Sequence, residues 1–452
     1  MVHLYDYASF YPNISAPGWL TDASLGTYGG IFHAPAQQAS PPSFGAYAYC
    51  SMPHPREEDY WLPEPVENGS VKAELVYLEY LQRHHRRTPY NILPGGENQP
   101  YDCDDIHPYL YAGSPLEEGP IRVYADTYSD SANPFLHDYV NGSCQYPQLT
   151  VGGLLDAYHH GRDLWAVYGA RLELLPASPD GSSIWLRSSS SPLTQASAGG
   201  VLRGIWPEYS GALPLHQQAA AIDTVDRGFP CPAREAVLDK IQSSAEWEAA
   251  LGATRSLRES LAELFDANTS AWMSTFDHFA DNFQARLCNG YQLPCRREEE
   301  DSSCVTHEQV EAVFRAGDWM WDFWFRASQD AARYITLVEG MFIGEILARL
   351  NAVVRGEQDL VYSHTFVHDG DVGPILGALG ITSLRWPGMA SNIAIEVWKS
   401  DGLFARVLYC GHPIQTVHGS LDWTPLGELI QILQPFVPED IVKMCKQNID
   451  KR

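Results

Sequence analysis

The chain has 452 residues, 45% of them hydrophobic, which is enough for a sizeable core and too long for one ordinary domain. Its formal net charge of −26 excludes non-specific nucleic-acid binding, because no dominant basic surface is available to meet phosphates. A local basic pocket stays compatible with that charge.

Residues 1–65 are rich in Pro, Gly, Ser, Ala and Tyr, with little periodicity, and are expected to form an irregular arm laid over the main domain. Residues 1–25 have no apolar stretch of signal-peptide type, so Met1 reads as the start of a processed chain. The run AELVYLEYLQ at 73–82 predicts a strand that feeds directly into the charged loop RHHRRTPYN at 83–91. Residues 149–169 predict a helix, and 184–187 a strand end before the serines 188–191. Apolar residues three and four apart make 233–282 helical, and 307–326 and 329–355 read as two more helices. The most apolar stretch, 334–354, is broken by Glu339, Glu345 and Arg349 and does not suit a bilayer. Residues 359–367 predict a strand running into the polar loop HDGDVG. Further strands are expected at 382–386 and 392–399, and a helix at 426–433 with Pro425 at its start. The order is α/β, helical, then α/β again. It predicts an α/β fold in which 66–204 and 331–452 build one sheet domain, 205–330 form an inserted helical domain, and a site lies between them.

Nine cysteines occur, none in a CxxC pair, together with N-x-S/T sequons at Asn13, Asn68, Asn141 and Asn268. The combination favours a secreted, glycosylated, disulfide-bonded protein over a cytosolic one with reduced cysteines. An odd count leaves at least one thiol free or paired outside the chain. Cys288, Cys295 and Cys304 are close enough in sequence to contain one short-loop disulfide.

The chemistry-bearing residues collect in two loops after predicted strands, where open α/β sheets bind ligands. One loop carries Arg83, His84, His85, Arg86 and Arg87; the other carries His368, Asp369 and Asp371; Arg187 ends a third strand. Arginine forks bind phosphate oxygens and never lose their charge. A histidine among them stays neutral and is a nucleophile toward phosphorus, and a protonated Asp nearby protonates the leaving alkoxide. His84, His85, His364 and His368 with Asp371 also have metal-ligand chemistry, but the interleaved arginines repel a cation, so no metal or cofactor is expected. The aromatic cluster Trp319, Trp321, Phe323, Trp324 and Phe325 reads as helical packing or as a lid over an apolar substrate.

The motif R-H-H-R-R-T-P at 83–89 resembles the R-H-G-x-R-x-P signature of the histidine acid phosphatases, the group that includes the phytases. LTVGG at 149–153 with HGRDLWAVYG at 160–169, WLRSSSSPLTQASA at 185–198 and VHDGDVGPILGALGI at 367–381 resemble that family's later blocks, in its order. The resemblance implies a mixed-sheet α/β sandwich with a smaller helical domain. It implies that His84 forms a phosphohistidine, that Arg83, Arg87, Arg187 and His368 clamp the phosphate, and that Asp369 is the general acid. The implied partner is a small phosphomonoester, with no nucleic acid and no membrane. Three departures stand out: His85 replaces the family's glycine, Leu193 falls where a second arginine is usual, and Asp371 stands where a neutral residue is common. His85 and Asp371 are therefore expected beside the phosphate subsite as specificity determinants. Two other functions fit the same residues. One is a divergent enzyme using acid/base chemistry on a non-phosphorylated metabolite, and the other a secreted binding protein without catalysis.

Overall fold

Ten residues, Glu74–Arg83, form the central strand β1, whose side chains are buried on both faces from Leu75 except at half-buried Val76. In the computed structural model the described residues are 49–95, 99–106, 123–128, 130, 132–133, 142–296, 303–357, 359–382 and 384–446. Most of the expected arm, with Asn13, and the sequon at Asn141 lie outside them; residues 49–63 run without regular structure.

After β1 come α1 (Val151–Leu164), widening into a π-helical stretch at Trp165–Arg171, then β2 (Ile184–Ser188) and α2 (Pro192–Ile205). A helical series follows: α3 (Pro232–Gln242), α4 (Ala245–Ala253), α5 (Arg255–Phe265), α6 (Asp277–Cys288), α7 (His307–Asp322) and the long α8 (Ala331–Arg355). The chain returns to the sheet with β3 (Tyr362–Val367), α9 (Asp369–Ala378), β4 (Asn392–Lys399) and β5 (Leu403–Tyr409). The short strands β6 (His412–Pro413), β7 (Gln415–Thr416), β8 (Gly419–Ser420) and β9 (Thr424–Pro425) precede α10 (Leu426–Leu433).

The main sheet has seven strands in the order β2-β3-β1-β4-β5-β6, with β9 beside β5. The β2, β3 and β1 strands are parallel, whereas β4 and β5 are antiparallel to their neighbours. This is the mixed α/β fold expected from the element order. Side-chain alternation sorts β1 between two cores. Leu78 and Tyr80 pack with Ala157, Leu164, Ala198 and Val201 of α1 and α2. Tyr77 and Leu81 face the other way, into the core that holds Phe342, Ile346 and Ile375 of α8 and α9. The α1–α2 contact is glycine on glycine: a Cβ on Gly161 would sit 1.9 Å from the Val201 carbonyl oxygen, and one on Gly204 2.2 Å from that of Tyr158.

One expected strand is absent. The described residues 384–386 have no ladder, because α7 supplies acceptors for their backbone: Leu384 N donates to Asp322 Oδ1 at 3.2 Å and Trp386 N to Asp318 Oδ1 at 3.0 Å. Conversely, β5 was not foreseen from the sequence. The expected strand at 359–367 starts only at Tyr362.

Four disulfides join Cys50–Cys288, Cys103–Cys144, Cys231–Cys445 and Cys295–Cys304, the last being the expected short loop. Cys410 is free and buried, and burial pushes its thiol up to about 12. No helix among the described residues is long and apolar enough to cross a membrane.

Two measurements test this architecture. Gly204→Ala is expected to destabilise the protein by about 2 kcal/mol in a denaturant melt, because the helices must part to admit the methyl group. Thiol titration is expected to find no reactive cysteine in the native protein and one per chain, Cys410, after denaturation without reductant.

Candidate active site

The parallel strands end together. Arg83 closes β1 opposite Val367 of β3, and Ser188 closes β2 opposite Phe366. The next residues of each strand, His84, Ser189 and His368, therefore emerge side by side. The His84 and His368 rings lie 5.4 Å apart at 66°. Ser189 Oγ is 3.0 Å from His368 Nε2.

His84 is buried, and its Nδ1 lies 2.9 Å from the His85 carbonyl oxygen. A carbonyl only accepts, so Nδ1 carries the proton and Nε2 keeps its lone pair. Burial, then Arg83, Arg87 and His368, hold the ring's pKa well below its ordinary value. The result is a neutral imidazole with a free nitrogen between two fixed cations.

Those cations are themselves paired. Arg83 Nη2 is 2.8 Å from Asp369 Oδ2, and its Nη1 donates to the Pro387 carbonyl. Arg87 Nη1 is 2.6 Å from Asp281 Oδ1 of α6 and 2.9 Å from its neighbour's carbonyl, Thr88 O. Asp369 Oδ2 also accepts from the indole Nε1 of Trp386 at 2.8 Å, while Oδ1 accepts from Gly370 N at 2.9 Å. Burial pushes the Asp369 carboxyl up, but Arg83, the Trp386 N–H, His368 and Arg87 together hold it below the usual range. The structure thus brings Arg83, His84, Arg87, His368 and Asp369 into one cluster.

Arg187 is a correction. Alternation along β2 sends its side chain to the α8 face, with its guanidinium 5.3 Å from the Phe342 ring centre. There it pairs with Glu345, with Asp223 at 3.0 Å and with Thr224 Oγ1 at 2.8 Å. Two carboxylates cancel the charge that was expected to clamp phosphate.

Asp371 is a second correction. It is fully buried, and its two oxygens accept from His368 N at 2.8 Å and Asp226 N at 3.1 Å. It caps the start of α9 and does not face a substrate. His85 is a third. Its φ is not positive, so no strain attends the side chain where the family has glycine. The ring turns under α1 and α2, with Nδ1 3.3 Å from Ser197 Oγ and Nε2 3.2 Å from Gln82 Nε2. Gln82 Nε2 is also 3.2 Å from His160 Nδ1, and His160 Nε2 is 2.7 Å from the Tyr80 hydroxyl. One amide thus donates to two imidazoles, which must both be neutral to accept. Burial first, then His54 and Arg86, lowers His85 to about 3, and burial first, then the neighbouring histidines, lowers His160 well below its ordinary value.

Trp386, Asp281 and Ser189 were missed in the sequence. Asp281 lies in α6, nearly two hundred positions from Arg87, and only folding brings it near. Trp386 carried a signal, a tryptophan before Pro-Gly, but was read as strand. Much of the aromatic cluster packs internally, as Trp319 does on Phe323; Trp321 instead stacks on Trp386, 5.9 Å away at 17°. No group of three His, Cys, Asp or Glu residues is placed to hold a metal among the described residues.

The buried histidines set a pH limit on the fold. His84, His85, His160, His364 and His412 all have pKa values lowered by burial, His412 to about 4. Below their unfolded pKa the unfolded chain binds protons that the native protein refuses. Stability is therefore complete above about pH 6.5 and falls as pH drops, by about 1.4 kcal/mol per unit for each such histidine. Glu339, pushed well up by burial, works in the opposite sense with one proton, as do the raised Asp156, Asp223, Asp281, Asp318 and Asp322. The histidines outweigh them, and the melting temperature is expected to fall by about 2–4 °C from pH 7 to pH 5.5. Calorimetry across that range is the check, and a flat profile contradicts it.

No protein-family model matches the chain. It is 25% identical over 410 residues to Counting factor 60 of Dictyostelium discoideum, an alignment covering 85% of this chain and 92% of that one. It is 24% identical over 417 residues to 2-phosphoxylose phosphatase 1 of Danio rerio, covering 83% and 79%. The Homo sapiens protein of that name is 22% identical over 400 residues, covering 84% and 78%. Among solved structures, the phytase from D. castellii superposes with a TM-score of 0.51 at 14% identity, covering 94% of this chain and 93% of its own. Hafnia alvei phytase in complex with tartrate gives 0.52 at 13% identity, covering 83% and 99%. The sheet order, the helices on both its faces and these superpositions together give the chain the fold of the phytase-like histidine acid phosphatases.

Proposed function

We propose that the chain is a phosphoric monoester hydrolase in which His84 takes up the phosphoryl group and Asp369 supplies the leaving group's proton. The observation that carries this reading is the state of His84. Its Nδ1–H is fixed on a carbonyl, its pKa is depressed, and Arg83 and Arg87 flank it. In the reaction the Nε2 lone pair forms a bond to phosphorus as the ester P–O bond breaks. The departing oxygen takes the proton from Asp369. Water then cleaves the P–N bond, giving its proton to the Asp369 carboxylate and releasing phosphate. Arg83, Arg87 and His368 hold the equatorial oxygens, where charge stays high throughout.

Asp369 is a counter-ion of Arg83, and so ionised. The proton it gives away arrives with the substrate. A phosphomonoester monoanion carries one, and its oxygens replace Asp369 on Arg83, which frees the carboxyl to take it. The substrate carries a single phosphate on this reading. Leu193 stands in the place of an arginine and Arg187 is neutralised, so that of the arginines expected to clamp phosphate only Arg83 and Arg87 remain, each already facing a carboxylate. The relatives named 2-phosphoxylose phosphatase make a sugar phosphate the first substrate to try.

The four disulfides support an oxidising, secretory route for the chain. The sequons at Asn68 and Asn268 are both exposed, as glycosylation requires.

A second reading has its own observation. Arg83, Arg87 and Arg187 are each paired with a carboxylate, which suits a neutral metabolite handled by Asp369 and His84 as acid and base. Phosphate release from sugar phosphates and from a chromogenic monoester separates the two. On the phosphatase reading, His84→Ala loses at least about 10³-fold in kcat and no longer yields an acid-labile phosphoenzyme. Wild-type kcat/KM falls about tenfold per unit above about pH 6, as the monoanion disappears. A monoester also outperforms inositol hexakisphosphate. Activity that survives His84→Ala, or a wild type inert on all monoesters, overturns this reading.

A further inference from the structure

Trp386 sits where a tryptophan is not needed for packing alone. Its ring is buried, yet its one polar atom, Nε1, points at the Asp369 carboxylate, whose side chain is 23% exposed. The segment around it is fixed at each residue. Trp386 N donates to Asp318 Oδ1 at 3.0 Å, and Asp318 Oδ2 accepts from Arg385 Nε at 2.7 Å and from the Tyr49 hydroxyl. The Pro387 carbonyl takes Nη1 of Arg83, the arginine that also holds Asp369. The ring is packed on Trp321, and a Cβ on Gly317 would come within 2.9 Å of its Cε3. A Cβ on Gly373 would come within 2.5 Å of the Trp321 ring, so the stack has no room to slide.

We propose that Trp386 is a positioning residue for the general acid: its indole N–H holds Asp369 Oδ2 in place when Arg83 turns to the phosphate. The proposal rests on the phosphatase reading. Arg83 and Trp386 share Oδ2 in the empty site. A bound phosphate competes for Arg83, and a carboxyl held by arginine alone is then released to rotate. The indole is a donor with no accepting capacity, so phosphate has only its N–H to compete for, and that N–H is already engaged. The N–H···O bond also strengthens as Asp369 gives up its proton, because the accepting oxygen becomes anionic. It therefore favours the step in which the ester oxygen is protonated and does nothing for a leaving group that needs no proton.

That difference is the test. Trp386→Phe keeps a ring on Trp321 and removes the donor. Replacing Trp386 by 3-benzothienylalanine keeps the shape of indole itself without the N–H, which covers the case in which the phenylalanine variant folds poorly. Each is compared with wild type on p-nitrophenyl phosphate, a good leaving group, and on glycerol 2-phosphate, a poor one. The kcat/KM loss on the alkyl ester is expected to exceed that on the aryl ester by at least about tenfold, a part of the roughly 10²–10⁴-fold that a general acid contributes. The pH limb assigned to Asp369 in the enzyme–substrate complex is expected to move up, since a donor to its ionised form is gone. The other groups facing it, Arg83 and Arg87 from the β1 end and His368 before α9, are unchanged. Equal losses on both esters with an unmoved limb, in a protein of wild-type melting temperature, overturn this inference alone. A wild type inert on both esters overturns the phosphatase reading, and this inference with it.

Discussion

Two guanidinium groups buried at the end of a parallel sheet govern the arrangement of everything near them. The Arg83 side chain is 1% exposed and that of Arg87 6%. A lone charge at that depth costs several kcal/mol, so each must have an anion at hand. Arg87 takes a permanent one, Asp281, contributed by the helical series. Arg83 takes Asp369, the proposed general acid. On the phosphatase reading, this ion pair leaves Asp369 ionised until an anionic ligand takes its place on Arg83, so that proton donation is coupled to substrate binding through one ion pair.

The frame that keeps this pair in register comes from α7. Asp318 and Asp322 lie four residues apart and so on one face of that helix. They accept the backbone N–H groups of Trp386 and Leu384. Asp318 also accepts from Tyr49, whose own carbonyl takes Gln284 of α6 and whose neighbour Cys50 is bonded to Cys288. One buried carboxylate therefore joins the segment at 49, α7 and the 384–387 crossing. Its cost is offset by an arginine and two further donors, which suits a group whose task is to fix geometry.

The strands that end at the site were legible because their apolar runs stop abruptly at charged loops, at Arg83 and at His368. The position of His84, the proposed nucleophile, was legible for the same reason. Arg187 was misread because a strand-end residue was assigned to the strand's end, when the two-residue alternation points it at α8. Asp371 carried a readable sign that was passed over: an acid three residues after His368 is the N3 position of a capping pattern. His85 could be read only as a departure, since the partners that make it harmless, Gln82, Ser197 and His160, come from β1, α2 and α1. The 382–386 stretch has β-type composition, but at Leu384 and Trp386 the carboxylates of α7 take the backbone N–H groups, so tertiary acceptors outweighed propensity.

The charge balance of the whole chain bears on what enters. A net charge of −26 repels any phosphorylated ligand at long range, although salt confines that field to about 8 Å in physiological solution. Inside that distance the local cations decide. The site holds Arg83 and Arg87 against Asp369 and Asp281, so its attraction for an anion is set by geometry more than by net charge. A phosphate gains when it meets several aligned donors at once, while Asp369 gives up only one contact with Arg83. On the phosphatase reading, a second or third phosphate on the same ligand finds no cation at Leu193 and a neutralised one at Arg187, which favours a substrate with a single phosphate.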